Sequence, residues 1–218
     1  MEVKLMAYTP NPDYTCGLAA SVCTDYQGDP IKALRGALKS GHESVAEHAS
    51  FTFHISGVSR ALLSQLTRHR IASFSVQSQR YVYQGDEFPY VIPPRIKELG
   101  ENTVLKYQVQ MKTISAWYKE WAELLGGGQD ANEDARFVLP NACETTITMT
   151  MNARELRHLF ALRCCNRAQW EIRIMAQEMM RICKNAAPEL FRGSGPACVR
   201  GACPEGTRSC GKGAKEND

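Results

Sequence analysis

At 218 residues the chain is long enough for one substantial core and is most economically a single domain. Its 44% hydrophobic and 22% charged content is that of an ordinary soluble globular protein. A net charge of +3 is too small to argue for a nucleic-acid or membrane partner, and no stretch approaches the ~20 apolar residues of a membrane span.

In chain order, Met1 to Leu5 lacks a signal-peptide apolar core, so a cytoplasmic location is expected. Residues 2–8 alternate loosely enough for a strand. Residues 30–39 carry Ile31, Leu34 and Leu38 at helical spacing behind Asp29, a suitable N-cap. Residues 49–56 read as a strand centred on Phe51 to Ile55. Residues 58–69 predict a helix burying Leu62, Leu63 and Leu66, so that Arg68-His69-Arg70 would close it. An extended segment would follow from Ser73 to Tyr81. Pro89, Pro93 and Pro94 mark a loop, and residues 101–125 form a long amphipathic helix stopped by Gly126-Gly127-Gly128. A short helix is expected over 130–137 and a strand over 145–151. Asn152 caps the next helix, with Glu155 at the reciprocal capping-box position. A last helix over 168–184 buries Ile172, Met175, Met179 and Cys183. Strands separated irregularly, without βαβ alternation, give an α+β fold: an antiparallel or mixed sheet flanked by long helices.

Six of the nine cysteines (Cys16, Cys23, Cys143, Cys164, Cys165, Cys183) sit in apolar or helical surroundings and read as small buried hydrophobes in a reducing compartment. Cys198, Cys203 and Cys210 punctuate a Gly-rich tail, residues 193–218, poorly suited to a packed core. Three thiolates could bind a metal with a fourth ligand from elsewhere, but their spacings are not those of a CxxC knuckle, so a structural or simply mobile tail is the expectation and no metal ligands are assigned.

Chemistry concentrates in the run from Arg68 to Tyr81. Clustered cations repel unless an anion sits among them, and arginine suits bidentate capture of phosphate or of an oxygen-bearing ring. On a helix ending at Arg70, Gln65, Arg68 and His69 would share a face while Arg70 projects nearly opposite. On the helix after Asn152, Arg154 and His158 lie one turn apart, whereas Arg163 falls ~180° round. Such groups do not easily converge from one helix copy, which leaves large ligands or a site between subunits. Ser78 has no histidine–carboxylate pair beside it and reads as a binding group rather than a nucleophile. His42 and His48 read as polar-network residues.

Arg68-His69-Arg70, seven residues, then Ser78, flanked by Gln65 and closed by Gln79-Arg80-Tyr81, resembles the signature of the flavin-dependent thymidylate synthases. Gly41-His42-Glu43-Ser44 with Glu47-His48 is similar to a second block of that family, and Asn152-Ala153-Arg154 through Leu162-Arg163 to Gln169-Trp170-Glu171 to a third. Together they span roughly residues 40–185. The resemblance implies a synthase domain over 1–192 followed by the tail, and a homotetramer with each site assembled from several chains. It implies reductive methylation of deoxyuridylate (dUMP) using FAD, with NADPH and 5,10-methylenetetrahydrofolate as co-substrates and no cysteine nucleophile. It carries FAD contacts onto Ser44, Glu47, Arg68, His69, Arg70, Ile71, Asn152, Arg154 and His158. Deoxyuridylate contacts fall on Gln65, Arg68, Ser78, Gln79, Arg80, Arg136 and Arg163, with Arg163 catalytic: its guanidinium would stabilise charge as the pyrimidine N3 loses its proton. Val76 stands where many members carry a polar side chain, Ser75 and His158 where Asn is common, and Arg167 in place of a frequent histidine.

Two other readings stand beside this one. A non-catalytic basic module would bind RNA or polyphosphate through Arg68, Arg70 and Arg80, but it wants aromatics interleaved with cations, and only Phe74 and Tyr81 offer that. Flavin- and folate-dependent methylation of uracil in RNA shares the cofactors but lacks sequence support.

Overall fold

A computed structural model describes residues 1–85 and 87–213. The elements are β1 (Glu2–Tyr8), α1 (Pro12–Thr24), α2 (Pro30–Lys39), a 3-10 segment (Glu43–His48), β2 (Ser50–Ser59), α3 (Arg60–Leu66) and β3 (Ala72–Val76). They continue with α4 (Pro94–Glu98), α5 (Glu101–Leu124), α6 (Gly128–Ala135), β4 (Glu144–Asn152), α7 (Ala153–Arg163) and α8 (Trp170–Ala186). The strands form one small antiparallel sheet in the order β1-β2-β4-β3, so the α+β class holds. Along β4, Thr145, Ile147, Met149 and Met151 are buried and their neighbours are half-buried, the period of two that a strand imposes. Among the described residues no helix is long and apolar enough to cross a membrane.

The chain divides into two compact units. The first comprises 1–2, 55–65 and 75–147. Its α5 buries Met111 against Phe88 and Cys143, and Tyr118 and Ala122 against Ala135 of α6. Three successive glycines with φ of 87°, 71° and 82° stop α5 and reverse the chain into α6, backbone that side-chain-bearing residues rarely adopt. The opposite face of α5 leaves Leu105, Val109, Trp117, Trp121 and Leu124 exposed, with Trp117 and Trp121 at 52% and 50%.

The second unit comprises 3–54, 66–74 and 148–213. Here α8 buries Ile172, Met175, Met179 and Cys183 as its spacing requires, each worth ~1.5–3 kcal/mol on burial. Phe191 meets Phe51 edge-on with ring centroids 5.3 Å apart and leans on Phe160 at 5.9 Å. Asp29 caps α2 as expected, its Oδ1 accepting from the Ile31 N–H at 2.9 Å. Buried Arg157 donates to the Leu190 carbonyl at 2.7 Å and pairs with Glu43 at 3.1 Å.

Several expectations are corrected. Helix α1 was not anticipated: its residues are mostly small or weakly polar, so no apolar stripe stands out. Gly17 is needed there, because a Cβ would lie 2.4 Å from the Pro30 carbonyl oxygen. Strand β2 runs on to Ser59, and α3 begins only at Arg60 and ends at Leu66. Arg68-His69-Arg70 therefore follows the helix, and the shared-face argument for Gln65, Arg68 and His69 does not apply. Leu63 is only half-buried. Of the six cysteines expected to be buried, Cys16, Cys143, Cys164 and Cys183 are, whereas Cys23 is exposed and Cys165 partly so. All nine are free thiols. The tail is better held than its composition suggested, since Ser194 is buried and Arg157 reaches its hydroxyl at 3.4 Å. Residues 214–218 lie outside the described residues.

Candidate active site

In the second unit the chain leaves α3 through a turn closed by the His69 N–H on the Leu66 carbonyl at 3.1 Å. Arg68 and Arg70 point to solvent, and His69 is buried at 4% exposure. Neither arginine forms an ion pair with another described residue. Ile71 follows, 65% exposed.

His69 sits at the centre of a hydrogen-bonded chain. Arg163 Nε donates to His69 Nε2 at 3.2 Å, and the His69 Nδ1 lies 2.8 Å from Glu155 Oε1. A guanidinium has only donors, so Nε2 is the bare nitrogen and the proton resides on Nδ1, donated to Glu155. The imidazole is neutral. Burial pulls its pKa down; the Glu155 hydrogen bond opposes this, and nearby Arg163 and His158 reinforce it. Arg163 is itself lowered by burial and by the neighbouring Arg68 cation. Two guanidiniums held together in this way favour an anion or a ring that becomes one.

Glu155 reaches His69 because the start of α7 is fixed. Asn152 Oδ1 accepts from the Glu155 N–H at 2.9 Å, the expected cap. The Glu155 carboxylate, expected to return the capping box, goes to His69 instead. His158 lies edge-on to His69 with centroids 5.8 Å apart. Thus His158 and Arg163 meet at one imidazole within a single chain, which corrects the expectation that groups on opposite sides of this helix would not converge. The donor atoms of His69, Glu155 and His158 all lie within 4.8 Å of one another. Both His69 nitrogens are already engaged, so the group reads as a hydrogen-bond chain rather than a metal site. Arg154 forms an ion pair with Glu47, both half-exposed. Ser44 lines a groove of about 700 Å³ with Tyr26 and His42. His42 and His48 are exposed.

In the first unit Gln65 lies in the last turn of α3 and is half-buried. Ser78 Oγ accepts from the Arg80 N–H at 3.1 Å, a local turn that places Gln79 and Arg80. Arg80 Nη2 meets Glu133 at 2.6 Å, and Asn132 Nδ2 donates to the Arg80 carbonyl at 3.1 Å. Arg80 Nε is buried without a partner, an unmet donor that costs ~1–3 kcal/mol unless an oxygen faces it. Gln79 Nε2 reaches the Cys143 sulfur at 3.5 Å, and Arg136 Nε donates to the Glu133 carbonyl at 3.0 Å. Arg60, which no sequence argument singled out, joins this group: Nη1 donates to the Gln77 carbonyl at 3.2 Å. Its pKa is lowered by burial and then by Arg136. Only its position at the junction of β2 and α3 could have flagged it. An apolar cavity of about 460 Å³ between α5 and residues 87–90 is lined by none of the expected site residues.

Two arginine clusters stand at the ends of helices and strands, and comparison with known proteins gives the family of the chain. Residues 4–189 match the family described as "Thymidylate synthase complementing protein". The flavin-dependent thymidylate synthase of Geobacter sulfurreducens is 49% identical, covering 99% of this chain and 96% of its own. That of Clostridium tetani is 47% identical over 99% and 95%. A crystal structure of thymidylate synthase X from Helicobacter pylori with FAD and dUMP superposes with a TM-score of 0.70 at 25% identity, covering 88% of this chain and 97% of that one. The chain belongs to the flavin-dependent thymidylate synthase family.

Proposed function

We propose that this protein makes thymidylate by reductive methylation of deoxyuridylate, with FAD as cofactor, 5,10-methylenetetrahydrofolate as one-carbon donor and NADPH as reductant. The observation that carries the reading is the Arg163–His69–Glu155 chain beside Arg68 and Arg70. An exposed apolar Ile71 adjoining two uncompensated arginines suits a dinucleotide that is flat and apolar at one end and carries a diphosphate. Arg68, His69, Arg70, Ile71 and His158 would hold FAD, with Ser44, Glu47, Asn152 and Arg154 completing its contacts. When bound, the flavin supplies the hydride chemistry that no side chain can.

Deoxyuridylate would be held by Gln65, Arg68, Ser78, Gln79, Arg80, Arg136 and Arg163. The unmet Arg80 Nε–H is a donor ready for a substrate oxygen. Arg163, oriented by neutral His69, stabilises the pyrimidine as N3 gives up its proton, a charge interaction that strengthens as the reaction proceeds. Cys143 is no nucleophile: burial pushes its thiol up, and a neutral thiol attacks poorly. We further read the molecule as a cytoplasmic homotetramer, with several copies of the chain contributing to each site and a synthase domain over 1–192. The exposed apolar face of α5 supports assembly.

The test is a visible spectrum of the purified protein under anaerobic conditions. Flavin bands should bleach with NADPH and recover only when both deoxyuridylate and methylenetetrahydrofolate are added. A colourless protein that takes up no FAD on reconstitution would refute the reading.

A further inference from the structure

The end of the second unit, residues 193–213, is ordered without a core of its own. Its only regular pieces are single 3-10 turns at Ala197–Val199 and Gly206–Arg208. Residues 194–199 are buried or half-buried, but from Arg200 to Gly213 every residue except Cys203 is exposed and the contacts are polar: Arg200 meets Glu43 at 3.1 Å, and Arg167 donates to the Arg208 carbonyl at 2.7 Å and approaches Glu205 at 3.5 Å. Exposed ion pairs contribute only ~0–1 kcal/mol each. Fixing the backbone from Arg200 to Gly213 costs far more than a few such pairs return.

The cysteines suggest what is missing. Cys16, Cys143, Cys164 and Cys183 are buried and serve as small apolar side chains. Burial pushes the Cys164 thiol up to about 12, so it stays protonated. Cys23 lines the groove beside α1 and α2. The other four, Cys165, Cys198, Cys203 and Cys210, line one cavity of about 250 Å³. They come from the α7–α8 junction and from three separate points of the tail. Buried Cys164 also reaches this cavity, and Arg167 and Lys212, set against the single carboxylate of Glu205, leave its wall net positive, which would offset part of the negative charge of thiolates. The Cys210 sulfur accepts from Asn166 Nδ2 at 3.8 Å and from the Lys212 backbone N–H. Gly211, at φ 69°, makes the turn between them. Amide donors turned onto a sulfur in this way are the outer shell that tunes thiolate ligands.

We propose that Cys165, Cys198, Cys203 and Cys210 bind a thiolate-ligated metal centre in this cavity, fastening the tail to the α7–α8 junction. Size indicates which kind. Among the described residues no three of these sulfurs fall within 4.8 Å of one another. Four thiolates on one zinc ion would stand only ~3.8 Å apart, given Zn–S bonds of ~2.3 Å in a tetrahedron. The cysteines of a four-iron cluster hold a whole cluster between them, and so stand farther apart than round one zinc ion. Thiols that are not drawn together at zinc spacing suit the larger centre. Cys165, Cys198 and Cys203 also line a neighbouring cavity of about 340 Å³ that includes Arg163. The centre would thus brace one wall of a space that Arg163 also lines, whatever reaction that residue serves.

The experiment uses the full-length, untagged protein purified anaerobically and reconstituted with ferrous iron and sulfide. Iron, acid-labile sulfide and zinc are measured per chain. The expected result is ~4 iron and ~4 sulfide per chain. Content should fall at least tenfold in Cys203→Ser and Cys210→Ser, and stay unchanged in Cys23→Ser. One zinc per chain, lost in the same two variants, would equally support the four-thiolate site while changing its occupant. Sub-stoichiometric metal after reconstitution would overturn the proposal. So would unchanged metal in the two variants, checked as folded by circular dichroism, or a disulfide among these cysteines in anaerobically handled protein.

Discussion

At the residue scale, Arg163 is a side chain with one job and two supports. His69 accepts its Nε–H at 3.2 Å, and Glu155 fixes the imidazole tautomer that can do so. Glu155→Ala should therefore lower turnover by about tenfold or more, by releasing the ring to rotate or exchange tautomers. Glu155→Gln keeps an oxygen for Nδ1–H and should retain most of the activity. Equal loss in both variants would mean that the carboxylate charge matters rather than the tautomer. Arg163→Ala should abolish thymidylate formation while flavin remains bound; wild-type turnover in that variant would remove its catalytic role. The same geometry sets a pH response. His69 has a folded pKa below its ordinary value, so it binds fewer protons folded than unfolded. Its contribution to stability is present above pH ~6.5 and declines as pH falls through and below that value. A nuclear magnetic resonance titration should find the ring still neutral near pH 6.5, and acid that finally protonates Nε2 should cost activity together with the Arg163 contact.

At the element scale, the structure turns on where helices begin. Asn152 and Asp29 each accept an N–H of the first turn at 2.9 Å, and replacing either with alanine should cost ~1 kcal/mol. Thermal unfolding measures the loss, and only Asn152→Ala should also lower turnover, because the Glu155 it anchors leads to Arg163. These caps were legible because a capping side chain, a following apolar period and a spacing of three are all local. The strands at 2–8, 50–59 and 144–152, helix α5 and the buried stripe of α8 were legible for the same reason. The helix expected to extend through His69 was not, since nothing near Thr67 forbids another turn. The chain leaves the helix because a buried carboxylate 86 positions away holds the imidazole. Helix α1 was lost for the opposite reason: its contacts are made by small residues whose pattern carries little contrast. Arg60 and Glu155 illustrate the limit for the site, since a residue that acts by orienting another leaves no spacing to read.

At the scale of the whole molecule, acid should find a particular weak point. Glu189 is held down to about 2, first by its hydrogen bond to Arg35 and then by Arg192. The backbone N–H groups of Glu189 and Leu190 are themselves held by Asp13 at 3.1 and 2.8 Å. A carboxylate whose folded pKa is depressed adds stability above its unfolded value and loses that stability as pH falls through its folded value. Thermal unfolding of the wild type should thus weaken between pH ~4.5 and ~2 more steeply than that of Glu189→Gln. Parallel curves would show that the pairs with Arg35 and Arg192 contribute nothing measurable. The broad blocks of the family signature were legible in the sequence because they are contiguous. The gathering of Cys165 with Cys198, Cys203 and Cys210 was not, because it depends on a tail folding back across helices that precede it.

Helix α5 would also give the protein an optical gauge of the proposed association between copies. Of the chain's three tryptophans, Trp117 and Trp121 stand half in water on this one element, whereas Trp170 is the first residue of α8. Indole emission shifts to the blue when water is removed. Serial dilution followed by intrinsic fluorescence would then read out the equilibrium between copies directly, without label or ligand.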